Sequence, residues 1–140
     1  MGWDKAFQII TIISLVAWAI LILTPRNWRI QAIPNYILPI GLGIAYTILA
    51  VTFLPKFYGA YSSLENFKHL REVDGIAIAG WMHIQLLNLF VGCWIAKEAH
   101  EMGISRLAQA PVLLLTVFFA PIGFLIFRMI KFRQPEEIFV

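Results

Sequence analysis

Residues 75–96 read GIAIAGWMHIQLLNLFVGCWIA, a run without a charged side chain. A membrane-crossing helix needs about 20 apolar residues, so Gly75 to Ala96 meets the length requirement by itself. Three further stretches qualify. Ala6 to Leu23 carries no charge, Tyr36 to Leu54 lies in the charge-free window 30–55, and Leu107 to Phe127 is interrupted by Pro111 and Pro121. The sequence therefore predicts an all-α integral membrane protein, one bundle of four transmembrane helices at about 6–24, 36–54, 75–96 and 107–129. The composition agrees: 60% of residues are hydrophobic and 14% charged, against about 25% charged in an ordinary soluble domain. So apolar a chain of 140 residues leaves no room for a soluble domain.

The punctuation around these runs is that of helix ends. Thr24-Pro25 closes the first, Pro34 precedes the second and Leu54-Pro55 closes it. Asp74 opens the third, where a carboxylate suits the helix N-terminus. Trp3, Trp28, Tyr58, Tyr61 and Trp94 fall near span ends, as interfacial aromatic belts require. No small-residue cleavage site follows Leu23, so the first run reads as a span and not as a signal peptide. Between the second and third runs, 64–73 could form a short interfacial helix with Leu64, Phe67 and Leu70 on one side, or a solvated loop.

With four spans, Lys5, Lys56, Lys68, Arg71, Arg128, Lys131 and Arg133 share one side, and Arg26, Arg29, Lys97 and Arg106 the other. Seven against four places both termini in the cytoplasm by the positive-inside rule. The net charge of +3 flanks the apolar runs and forms no patch for nucleic acid. The single Cys93 excludes a disulfide framework. There is no glycine-rich phosphate loop and no nucleophile elbow, and no metal site is expected. His69, His83 and His100 are too scattered for a multi-histidine iron cluster.

The third run carries the chemistry. It holds His83, Gln85 and Asn88 at membrane depth, where an unpaired polar group is costly. At 100° per residue Trp81, Gln85, Asn88 and Gly92 share a face, and His83 lies about 140° from Asn88. His83 has three readings: a packing hydrogen bond, acid–base or binding work on a lipophilic substrate, and axial ligation of a tetrapyrrole metal. Ala79 and Gly80 leave space for a flat macrocycle one turn earlier. Tyr46 in the second run could meet His83, and Gln85 and Asn88 also suit interhelical hydrogen bonding.

These residues resemble a known family. Leu21-Ile-Leu-Thr-Pro25, Trp28, Tyr46 and Ser62-Ser-Leu-Glu-Asn66 begin the likeness, and Ala79-Gly-Trp-Met-His83 through Leu89-Phe90 and Gly92 is its strongest part. Gly103-Ile104, Pro111, Leu113-Leu-Leu-Thr116 and Ala120-Pro-Ile-Gly123 complete it. Over about residues 15–130 the chain resembles the small four-helix membrane proteins typified by plant neoxanthin synthase, the abscisic-acid-deficient-four-like family, and looks like one of its bacterial-type members. The resemblance implies work on carotenoids, as in opening the epoxide violaxanthin to an allene. That isomerisation requires an acid at the epoxide oxygen and a base at a carbon-bound proton. By this resemblance His83 is the candidate catalytic residue, and Trp81, Tyr46, Gln85 and Asn88 orient or bind substrate. The family often has an aspartate five residues after the histidine, where this chain has Asn88. The competing expectation is a small pigment- or lipid-binding subunit without catalysis, held in a larger membrane assembly such as a photosynthetic complex. The expected partners are membrane lipids, carotenoid and other membrane subunits.

Overall fold

A computed structural model describes residues 2–133. Its helices are α1 (Trp3–Leu23), α2 (Trp28–Ala32), α3 (Leu38–Thr52), α4 (Leu64–Arg71), α5 (Asp74–Glu101), α6 (Arg106–Phe118) and α7 (Ala120–Arg133). Three rods are long and apolar enough to cross a membrane: Trp3–Leu23, Trp28–Thr52 and Asp74–Glu101.

The second rod starts eight residues before the expected Tyr36, because Pro34 does not stop it. Proline has no N–H and its ring collides with the carbonyl four residues back. A π turn over Ile33–Ile37 absorbs this misfit and joins α2 to α3, with Leu38 N–H bonding to Ile33 O. Asn35 Nδ2 donates to the Gln31 carbonyl at 2.7 Å. At the other boundaries, Pro25 holds Thr24 extended and ends α1. Gly103, at φ 70°, closes α5, with bonds from Gly103 N to His100 O and from Ile104 N to Ala99 O. This is a Schellman closure, which requires a left-handed residue. The segment after the second rod does form a helix, α4, capped by Ser63 Oγ. Leu70 is its buried anchor, against Ala60 and Ile76, whereas Leu64 is exposed.

α5 is the axis of the bundle. α1 runs parallel to it: Trp81 Nε1 donates to Thr11 Oγ1 at 3.0 Å, and Gly92 meets the Trp18 ring. α3 runs antiparallel to it, with Phe53 against Gly75 and Tyr46 beside His83. The core lies where α1, α5, α6 and α7 meet, around Trp18, Leu21, Leu89, Ile95, Leu113 and Phe127.

The expected fourth span at 107–129 is not one continuous helix. The chain leaves the helix at Phe119 (φ −137°, ψ 68°) and turns back. α6 descends beside α5 until Val117 lies opposite Asn88. α7 then climbs again, setting Phe124 and Phe127 against Trp94 and Lys131 on Glu98. A continuous helix antiparallel to α5 would instead carry Phe124 and Lys131 toward the beginning of α5. The cause is local. Pro121 cannot donate to Val117 O, so the helix cannot pass through this point without losing a bond. Gly123 lets the two limbs meet, since a Cβ there would overlap Thr116. Limbs of 13 and 14 residues are each about 20 Å long, short of the ~30 Å hydrocarbon layer. α6 and α7 form a helical hairpin inserted from one end of the bundle. The described chain accordingly finishes at the end that carries Glu98, Arg26 and Arg106, opposite Trp3. This removes the basis for setting Arg128, Lys131 and Arg133 beside Lys5 in the charge count. The terminus itself, residues 134–140, lies outside the described residues.

Candidate functional site

His83 is the tenth residue of α5, about 14 Å along its axis. Its side chain lies on an exposed flank of the bundle. The imidazole sits beside the Tyr46 phenol ring, centroids 5.6 Å apart and planes 41° from parallel. Among the described residues it has no hydrogen bond. Gly80, one turn earlier, is exposed, and a Cβ there would meet nothing within 4 Å. Ile84 and Leu87 continue this open strip. The strip exists because the α6–α7 hairpin turns back at the depth of Asn88, covering only the later half of α5. The exposed Phe118 and Phe119 form the tip of that cover.

The other expected site residues are not gathered here. Trp81 faces α1, bonded to Thr11 and with its ring 5.1 Å from Phe7. Gln85 is half-buried and by helical spacing lies about 40° from Trp81. Asn88 donates from Nδ2 to Val117 O at 3.3 Å. That carbonyl is the one Pro121 leaves without a donor, so the amide supplies what the proline lacks. The Asn88 amide therefore serves the hairpin. Asn88→Leu, and Asn88→Asp at neutral pH, should each lower stability by about 1–2 kcal/mol. Thermal unfolding in detergent measures this, and a midpoint equal to wild type for both would remove Asn88 as the hairpin's anchor.

Two features were not legible as sites. The first is an apolar groove of about 480 Å³ between α1 and α3, lined by Trp3, Ile10, Ile13, Gly41, Leu42 and Ala45 among others and floored by Ile78 and Met82. Small residues on α3 hold it open, and neither His83 nor Tyr46 lines it. Gly41 and Ala45, one helical turn apart on α3, are the small residues that line it. The second is a polar cluster where α1 ends and α6 begins, joining Arg26, Arg106 and Gln109. Arg26 lies 83 residues from Gln109 in sequence, and each arginine alone reads as a flanking charge.

Among the described residues no group of three His, Cys, Asp or Glu side chains converges as a metal site. Glu98 instead binds Lys131, and Glu101 lies 3.9 Å from Lys97.

Neither curated proteins nor solved structures give a match to the chain. A family signature does. The description ABA DEFICIENT 4-like matches residues 5–127, from the start of α1 to within α7 and including Tyr46, His83, Asn88 and Gly123. With nearly the whole described bundle inside that match, the chain belongs to the ABA DEFICIENT 4-like family.

Proposed function

We propose that this protein acts on a carotenoid taken laterally from the bilayer, with His83 and Tyr46 as its reactive pair. The observation that carries the reading is the imidazole against a phenol ring, on a flank open to hydrocarbon. A polar group so placed is costly unless something uses it, and a lipid-soluble substrate can reach it without leaving the membrane. For a xanthophyll epoxide the chemistry closes without a co-reactant. The Tyr46 hydroxyl hydrogen-bonds and protonates the epoxide oxygen as its C–O bond opens. Neutral His83 takes the proton from the adjacent carbon, and the electron pair left there completes the allene. Proton return from imidazolium to phenolate resets the pair. Each proton transfer by a positioned side chain contributes about 10²–10⁴-fold.

Incubation of the purified protein with violaxanthin in nanodiscs, followed by chromatography, tests this. Allene product is expected from wild type, falling about 100-fold or more in His83→Ala and markedly in Tyr46→Phe. No product from wild type across xanthophyll epoxides would sink the enzymatic reading, and full activity in His83→Ala would sink the pair.

The α1–α3 groove favours a second reading, a binding subunit that holds a pigment or lipid chain without converting it. In that case carotenoid co-purifies, survives His83→Ala and is lost in Gly41→Phe, which fills the groove. Carotenoid lost in His83→Ala but retained in Gly41→Phe would argue for the first site.

A further inference from the structure

At the end of the bundle away from α4, two arginines lie side by side. Arg26, just after α1, donates from Nη1 to Leu21 O and from Nη2 to Gln109 Oε1 at 2.7 Å. Arg106, the first residue of α6, donates from Nη2 to Ile22 O at 3.0 Å. Gln109 is buried and holds its own orientation through Nε2 to Ile104 O at 2.7 Å. Both guanidiniums are half-buried, and both Nε atoms are buried without a partner. Burial, and then the charge of Arg106, push the Arg26 guanidinium below its ordinary value.

All of these acceptors are neutral. The carboxyl end of α1 offers about half a negative charge against two full positive ones. The carboxylates of α5 that share this end are already engaged, Glu98 by Lys131 and Glu101 by Lys97. Among the described residues neither Arg26 nor Arg106 has an ion-pair partner. The α6 N-terminus adds to the excess: Ser105 caps the Ala108 amide, while the amides of Arg106 and Leu107 have no helical acceptor. Guanidinium forks with helix-start amides are the donor set that receives phosphate.

We propose that Arg26 and Arg106, with the start of α6, hold a phosphate group at this end of the bundle. An anionic phospholipid headgroup and free phosphate are two sources of that same chemistry. Ligation here would tie the end of α1 to the start of the hairpin. The site is independent of any activity at His83.

The test measures thermal midpoints of the whole protein in uncharged detergent, titrated with dihexanoyl phosphatidylglycerol or with inorganic phosphate. A saturable rise is expected with the lipid. Its apparent affinity should fall about tenfold or more in Arg26→Gln and in Arg106→Gln and stay unchanged in Arg29→Gln. Because each variant is compared with its own ligand-free midpoint, loss of the α1 cap cancels. Stabilisation by inorganic phosphate alone would assign the site to the free ion. Where the glutamine variants do not fold, Arg106→Lys keeps the charge but loses the fork, and binding about tenfold weaker is expected. No rise with either probe, or equal binding by all variants, would overturn the proposal.

Discussion

A cysteine placed at Tyr58 and one placed at Phe132 are expected to be labelled from opposite sides of the membrane. Both positions are exposed, at 97% and 85%, and the native Cys93 is buried, so a membrane-impermeant maleimide reports the new thiol. The expectation follows from three helices long and apolar enough to cross a membrane and a hairpin whose limbs enter and leave at one end of the bundle. Tyr58 lies between the second and third of these helices, at the Trp3 end. Phe132 lies at the end of the returning limb, beside Lys131 on Glu98. The charge count also reverses. Lys5, Lys56, Lys68 and Arg71 stay at the first end, while Arg26, Arg29, Lys97 and Arg106 are joined by Arg128, Lys131 and Arg133. By the positive-inside rule, four against seven predicts a cytoplasmic Phe132 end. Tyr58→Cys should then react in intact cells and Phe132→Cys only after permeabilisation. Labelling of both from one side would mean that α6 and α7 cross as a fourth span.

Much of this architecture was readable in the sequence, and what was not has identifiable physical causes. Hydrocarbon thickness sets a minimum apolar length, so α1 and α5 follow from counting uncharged residues. Pro34 signals a stop and so shortens the second rod expected from sequence, whereas a π turn can absorb a proline without any sequence marker. The run 107–127 is as apolar as a span, and Pro121 is as compatible with a kink as with a reversal. Its direction is decided by contacts distant in sequence: Asn88 on Val117, Trp94 against Phe124 and Phe127, and Lys131 on Glu98. Helical spacing within α5 already separated His83 from the face shared by Trp81, Gln85 and Asn88. That Tyr46 comes beside His83 depends on the register of α3 along α5, which no local pattern encodes. The Arg26–Arg106 pair was illegible for the same reason, since each arginine alone resembles any charge at a span end.

Gly123→Ala is expected to be among the most damaging single-methyl additions in the described residues. A Cβ at this position would overlap Thr116 Oγ1 and lie 2.9 Å from Thr116 Cβ and 3.0 Å from its Cα. Contacts under 3.0 Å must be relieved, and here the neighbour has little freedom to move. Thr116 is fully buried, its hydroxyl is tied to Val112 O at 2.7 Å, and its Cα is backbone. The limbs of the hairpin would have to separate, pulling α7 from Trp94 and α6 from Asn88. Overpacking of this kind costs about 1–3 kcal/mol. Gly92→Ala should cost a similar amount against the buried Trp18 ring. Gly43→Ala is the control: its Cβ would meet nothing within 4 Å, and alanine favours the helix by about 1 kcal/mol. Thermal midpoints of the three variants in one detergent should therefore rank Gly43→Ala at or above wild type and the other two several degrees below. Thr116→Gly removes the overlapping hydroxyl and Cβ, so combined with Gly123→Ala it should restore part of the loss, a non-additivity that only neighbouring residues produce. A Gly123→Ala protein as stable as the Gly43→Ala control would mean that the two limbs do not meet. The reversal at Phe119 would fall with it.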